Sequence, residues 1–215
     1  MSTKVKICGC ARAEDAKLAA DLGAWAVGMI LWPDSPRACP PEVSEEISAR
    51  LRRRVELAGV FVNATLDEVA LAADRFSLSI LQLHGDEGPA YCREAARRTG
   101  AKVMKAVRVK DAASVRDLGA FHTDFHLLDA NVPGMLGGTG ETFSWDLAKA
   151  HLGEVPLVLS GGITPDNAGD AVRRVRPFAI DSASGTEAKP GRKDPAKVAA
   201  LFAAVAAADS EPATA

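Results

Sequence analysis

Residues 156–185 read PLVLSGGITPDNAGDAVRRVRPFAIDSASG. A short apolar run over 156–160 meets a glycine pair, Gly161-Gly162. A helical pattern over 166–175 follows, and a second apolar run over 178–181 leads to another glycine at Gly185. Thr164-Pro165 marks the helix start, because a proline in the first turn gives up only an N–H that would have no intrahelical partner. Two apolar runs joined through a helix form a unit with parallel strands, since the crossover returns the chain to the same edge of the sheet.

The unit repeats outward from there. Further strands are expected at 5–8, 25–31, 56–62, 79–84, 102–107 and 124–129, which with 156–160 and 178–181 makes eight. Helices are expected at 13–22, 41–54, 65–75, 87–99, 111–118, 144–151, 166–175 and 195–208. Thr65 and Glu68 have capping-box spacing, and Gly23, Gly100 and Gly119 stand where helices should stop. Eight strand–helix units in 215 residues, about 27 each, match a closed (β/α)8 barrel. The competing open sheet usually carries GxGxxG after its first strand, and Cys8-Gly9-Cys10-Ala11 stands there instead. The expectation is a single α/β domain, a (β/α)8 TIM barrel over residues 1–208. An Ala-rich, then polar, tail at 209–215 is expected to be disordered.

Composition narrows the function classes. The chain is 47% hydrophobic and 25% charged, with a formal net charge of −2. That is ordinary globular usage, and it asks for no nucleic acid or anionic membrane as partner. No apolar run reaches the roughly 18 residues of a membrane helix. The start of the chain lacks the apolar stretch of an export signal, so Cys8, Cys10, Cys39 and Cys92 read as reduced thiols of a cytoplasmic protein.

In a closed barrel the chemistry sits at the C-terminal strand ends. Those ends carry Cys8, Asn63, His84-Gly85, Arg108, Asp129, Ser160-Gly161-Gly162 and Asp181–Gly185. The glycine loops after the seventh and eighth strands, Gly161-Gly162 and Ser184-Gly185, are the frequent phosphate position of this architecture, where backbone amides can approach an anion. A third cluster, Gly137-Gly138-Thr139-Gly140, follows strand six. Alternation puts Lys6 and Cys8 on the inner face, where Lys6 can assist a thiolate or pair with Asp181. Asp129 is a second proton-transfer candidate. His84 suits acid–base work or a structural hydrogen bond equally, and His122, His126 and His151 read as surface or packing residues. Arg37, on the stiff Asp34-Ser35-Pro36-Arg37 turn, can hold a carboxylate through paired hydrogen bonds. The cysteines and histidines lack metal-ligand spacing, so no metal is expected. Ser160-Gly161-Gly162 is no nucleophile elbow.

Taken in order, Lys6-Ile7-Cys8-Gly9, Ser35-Pro36-Arg37, Gly59-Val60-Phe61-Val62-Asn63, Gln82-Leu83-His84-Gly85, Leu128-Asp129, Gly137–Gly140 with Phe143 and Trp145, Ser160-Gly161-Gly162, and Asp181 through Ser184-Gly185-Thr186-Glu187 with Gly191 and Lys193-Asp194 form a set that closely resembles the phosphoribosylanthranilate isomerases of tryptophan biosynthesis. The resemblance runs from about residue 4 to 202. It implies a (β/α)8 barrel that performs an Amadori rearrangement on a small phosphorylated substrate, with no cofactor; the partner expectation is a monomer or homodimer. By motif, Cys8 is then the general base and Asp129 the general acid. Arg37, His84, Gly138 and Gly140 meet the substrate, and Gly161, Gly162, Ser184 and Gly185 hold its phosphate. Cys10, Ala11, Ser160, Ala183 and Thr186 depart from the family's usual residues. They keep a paralogue acting on a related aminosugar phosphate as a second reading. A third is a phosphate-binding barrel without catalysis.

Overall fold

Eight short strands pair in parallel in chain order: β1 (Lys4–Ile7), β2 (Ala26–Ile30), β3 (Glu56–Phe61), β4 (Ile80–Leu83), β5 (Lys102–Arg108), β6 (Phe125–Asp129), β7 (Leu157–Ser160) and β8 (Ala179–Ser182). The seam between β1 and β8, from Lys4 opposite Ala179 to Ile7 opposite Ser182, closes them into a barrel and rules out the open sheet. The computed structural model describes residues 2–129 and 145–211. Gly138, Gly140 and the rest of the cluster at 137–140, together with residues 212–215 of the expected tail, lie outside the described residues.

Helices α1 (Ala13–Asp21), α2 (Pro41–Leu51), α3 (Leu66–Arg75), α4 (Pro89–Thr99), α5 (Ala112–Arg116), α6 (Pro165–Val175) and α7 (Pro195–Ser210) cover the outside. Their ends follow local chemistry. Thr65 Oγ1 accepts from the Glu68 N–H while Glu68 Oε2 accepts from the Thr65 N–H at 2.7 Å, the reciprocal cap read from the sequence. Proline opens α2, α4, α6 and α7, and Gly100, at φ +70°, ends α4 in the left-handed conformation that glycine adopts without strain. No described helix is long and apolar enough to cross a membrane.

Four details correct the sequence reading. Trp145–Ala150 is a 3-10 segment, not the expected α-helix. Its buried residues, Trp145 and Ala148, are three apart, which the three-residue turn puts on one face. α5 ends at Arg116, and Gly119 lies inside a 3-10 turn, Asp117–Ala120, instead of following a helix. α7 runs to Ser210, past the boundary drawn at 208, because Asp209 accepts the Thr3 N–H at 2.7 Å and the Thr3 hydroxyl at 2.9 Å. Finally, a hairpin of β9 (Glu187–Lys189) and β10 (Arg192–Lys193) follows β8, turning at Pro190-Gly191.

The core has two layers, as strand alternation requires. Ile7, Met29, Leu57, Leu81, Leu83, Leu128, Leu159 and Ile180 pack outward against helices. Alanines 16, 19, 168 and 171, all fully buried, let α1 and α6 lie close to the strands. Inside the barrel, Ala26, Ala58, Ile80, Met104, Ala106, Phe125, Leu127, Val158 and Ala179 form a separate plug. At its N-terminal end Trp25, Phe125 and Phe178 meet with ring centroids 5.1 to 5.5 Å apart. This plug supports a polar layer at the C-terminal strand ends.

Candidate active site

Cys8 leaves the end of β1 with its N–H donating to the Ser182 carbonyl at 2.9 Å, so the seam strand β8 fixes its position. It is buried, and β2 makes room for it with Gly28: a Cβ there would lie 2.7 Å from Cys8 Sγ and 3.1 Å from Lys6 Nζ. Thiol and ammonium therefore share one small volume. Lys6 is wholly buried and pairs with Asp181 at 3.0 Å, and the second Asp181 oxygen accepts from Ser160 Oγ at 3.4 Å. Burial opposes the Lys6 charge, but Asp181 and then Cys8 outweigh it, and the Lys6 pKa rises. Burial pushes the Cys8 thiol up, and the pull of Lys6 only partly offsets this. The site thus holds an ammonium paired with Asp181 beside a neutral thiol that the same ammonium can stabilise once deprotonated.

Across the mouth, β4 and β6 carry a second group. Asp129 Oδ2 lies 3.1 Å from His84 Nε2, and Gln82 Nε2 lies 3.2 Å from His84 Nδ1. An amide nitrogen can only donate, so Nδ1 accepts and Nε2–H donates to Asp129. The loops behind His84 are held by a buried ion pair absent from the sequence reading: Lys105 Nζ to Glu87 at 2.9 Å and to the Gly85 carbonyl at 2.6 Å. Glu87 also accepts from the N–H groups of Asn63 and Gly85. Gly85 is required there, because a Cβ would stand 2.3 Å from Asn63 Oδ1. A lysine in the middle of an apolar strand was the available signal for this network.

Arg37 arrives from the turn after β2, where its N–H donates to Ser35 Oγ at 3.1 Å. Its stem crosses Gly9, whose φ of +72° favours glycine and whose added Cβ would lie 3.2 Å from Arg37 Cδ, a tight approach. Arg37 Nε donates to both oxygens of the buried Glu187 carboxylate, at 2.9 and 3.0 Å. Glu187 also accepts from the Gly191 N–H and lies 3.7 Å from Lys193 Nζ, which donates to the Ala183 carbonyl at 2.7 Å. The hairpin thereby links Arg37 to the loop after β8. Glu187 stood in the quoted motif, but nothing in the sequence showed that it holds Arg37.

The two glycine loops after β7 and β8 also meet. Gly161 and Gly162 have φ of +84° and +70°. Asn167 accepts the Thr164 N–H at 2.8 Å and donates to the Gly162 carbonyl at 2.9 Å, setting the entry to α6. Ser182 Oγ donates to the Ile163 carbonyl at 2.7 Å, and a Cβ on Gly185 would strike that carbonyl oxygen. Backbone therefore packs on backbone beside Ser184-Gly185. Among the described residues no group of three or more His, Cys, Asp or Glu side chains is placed to hold a metal ion. Cys39 and Cys92 are buried away from this mouth, and His126 Nδ1 lies 2.9 Å from His151 Nε2 in the outer layer, a packing contact as read from the sequence.

The geometry can be set beside known proteins. The family model for N-(5'-phosphoribosyl)anthranilate (PRA) isomerase matches residues 5–204. The N-(5'-phosphoribosyl)anthranilate isomerase of Citrifermentans bemidjiense is 48% identical over 201 residues, covering 94% of this chain and 96% of that one. The crystal structure of phosphoribosyl anthranilate isomerase from Thermotoga maritima is similar at a TM-score of 0.84 and 37% identity, covering 95% of this chain and 99% of that one. A phosphoribosyl anthranilate isomerase in complex with reduced 1-(o-carboxyphenylamino)-1-deoxyribulose 5-phosphate matches at a TM-score of 0.81 and 35% identity, with the same coverage. With a family match over nearly its whole length, this chain belongs to the N-(5'-phosphoribosyl)anthranilate isomerase family.

Proposed function

We propose that this chain catalyses the Amadori rearrangement of N-(5'-phosphoribosyl)anthranilate to 1-(2-carboxyphenylamino)-1-deoxyribulose 5-phosphate in tryptophan biosynthesis. The observation that carries the reading is the convergence, at one end of one barrel, of the Cys8–Lys6 pair, the Asp129–His84 pair, Arg37 and two meeting glycine loops. The reaction needs a proton put on one atom and another taken from its neighbour, so it needs two groups of unlike basicity on either side of the substrate.

In this mechanism Asp129 protonates the furanose ring oxygen as the C1'–O bond breaks, and the anilino nitrogen lone pair forms the Schiff base. Cys8, deprotonated beside Lys6, takes the C2' proton. The resulting enolamine gains a proton at C1' and loses one from the C2' hydroxyl, giving the ketone. Arg37, gripped at Nε by Glu187, offers its remaining N–H groups to the anthranilate carboxylate. His84 lies along the substrate at Asp129. Gly161, Gly162, Ser184 and Gly185 receive the phosphate on backbone amides. Gly138 and Gly140, outside the described residues, complete the substrate contacts in this reading.

Two of the departures from the family pattern are core residues: Cys10 and Thr186 are fully buried, and the Thr186 hydroxyl donates to the Ala183 carbonyl. They favour the isomerase over a paralogue of altered specificity. Four unpaired cysteines, all buried, support a reducing cytoplasm. The chain works as a monomer or homodimer, each barrel carrying the whole residue set. The direct test follows loss of the fluorescence of enzymatically generated phosphoribosylanthranilate with purified protein. Complementation of a tryptophan auxotroph lacking this step is the second. Turnover in neither would end the proposal.

A further inference from the structure

Gln82 is 2% exposed, and its Oε1 is buried with no hydrogen-bond partner among the described residues. A half-turn of the amide about its last torsion exchanges Oε1 and Nε2. Oε1 would then face His84 Nδ1 across the present 3.2 Å and accept from it, provided that nitrogen carries a proton. The two amide orientations therefore correspond to two proton counts on the His84–Asp129 pair.

We infer that Gln82 is a positioning residue whose amide turns with the proton load of the His84–Asp129 pair, so that it holds His84 both before and after Asp129 acts as an acid. With one proton on the pair, it sits on Nε2, bonded to the Asp129 carboxylate; Nδ1 is bare and accepts from Gln82 Nε2. With two protons, Nδ1–H donates to Gln82 Oε1. The second proton lies in the 3.1 Å bridge, where it can shift from Nε2 to Asp129 Oδ2. When Asp129 gives that proton to the ring oxygen of the substrate, the one proton left is on Nδ1; it passes to solvent as Nε2 takes one up and the amide turns back, and a second proton taken up from solvent reloads the pair. The inference rests on the isomerase reading for the fate of the proton, while the coupling of Gln82, His84 and Asp129 stands on the hydrogen-bond chain.

The charged and titratable groups around the pair are common to wild type and both variants. Arg108 on β5 is in register with Asp129, and Asp181 on β8, Lys6 on β1 and Cys8 just after it share the mouth. β2, β3 and β7 bring Gly28, Val60 and Ser160 to the same inner face. Asp86, on the loop after β4, bonds Asn63, and Glu87 pairs with Lys105 on the outer side.

The experiment compares wild type, Gln82→Glu and Gln82→Met. It reads the alkaline limb of the kcat profile and the ¹⁵N shifts of His84 in histidine-labelled protein. Gln82→Glu supplies only acceptors and should raise the limb by about one pH unit. Gln82→Met supplies neither partner, removes one bond from each form, and should lower kcat with the limb moved by less than about half a pH unit, against the tenfold change in proton affinity expected for Gln82→Glu. In wild type, His84 should pass from one bare nitrogen to two protonated nitrogens as pH falls through the limb. Lower kcat in both variants with an unmoved limb would mean a merely structural role and overturn the inference. An unchanging His84 signal in wild type would overturn it without any variant having to fold. A wild type that titrates as described but does not turn over phosphoribosylanthranilate would defeat the isomerase reading and leave the proton coupling standing.

Discussion

The two ends of the barrel are built from the same strands and do opposite work. The N-terminal end is closed by Trp25, Phe125 and Phe178 in mutual edge and tilted contact, with the Lys4 ammonium over the Phe178 ring. The C-terminal end, a few residues further along each strand, holds Lys6, Gln82, His84, Asp129, Ser160 and Asp181. A groove of about 1120 Å³ runs along the N-terminal end, lined by Lys4, Trp145, Arg174 and Phe178. Under the proposed function, the difference teaches that stability and chemistry can be separated in one barrel. Aromatic burial at one end pins the strands, and the pinned strands hold charged groups at the other.

The sharpest way to break this comparison is to delete the groups proposed to transfer protons. Asp129→Asn and Cys8→Ala should each lower turnover by about 10²–10⁴-fold, the usual worth of a positioned acid or base. Their unfolding free energies should stay within about 1 kcal/mol of wild type. Stopped-flow fluorescence and urea melts check both halves, and near-normal rates in either variant would sink the assignment. Phe125→Ala should do the reverse. It should cost about 3–5 kcal/mol of stability and leave kcat unchanged well below the melting temperature. A large kcat loss at full foldedness would show that the two ends are not separable. Lys6→Met should damage both, because it leaves Asp181 buried without its cation. The expected cost is about 3–5 kcal/mol, with slower turnover through a Cys8 thiol pushed further up.

Smaller effects sharpen the picture. Glu187→Gln keeps the shape but removes the charge that grips Arg37, so KM should rise about tenfold with kcat little changed. A kcat loss with unchanged KM would place Glu187 in the chemistry instead. The last prediction concerns pH. Burial pushes Cys10 from the ordinary 9.0 up to about 12. Between those values the unfolded chain loses a proton that the folded chain keeps. Stability is therefore full below about pH 9 and falls as pH rises, by about 1 kcal/mol per pH unit from this group. Urea midpoints from pH 8 to 10.5 should slope less in Cys10→Ala than in wild type, and parallel slopes would refute it.

Much of this was legible before any fold was in hand. The period-two alternation correctly put Lys6 and Cys8 inside and Val5 and Ile7 outside, and Lys6 does pair with Asp181. Thr65, Pro165 and Gly100 act where their local chemistry requires. The unread parts are long-range. Arg37 and Glu187 are 150 residues apart and His84 and Asp129 are 45 apart, and neither pair has a local pattern that demands its partner. The hairpin of β9 and β10 was missed because two and three residues are too few to show alternation, although Pro190-Gly191 is a turn signal.

From the chain order of residues alone came the eight parallel strands and most helix boundaries within a few positions. These depend on neighbours a few residues away, through backbone sterics and the burial of one face. Closure of β8 on β1, the meeting of two glycine loops through Ser182 and Ile163, and the tautomer of His84 against a turned amide were decided only in three dimensions. Each is a contact between segments brought together by packing, and its hydrogen-bond geometry exists only once the barrel has closed.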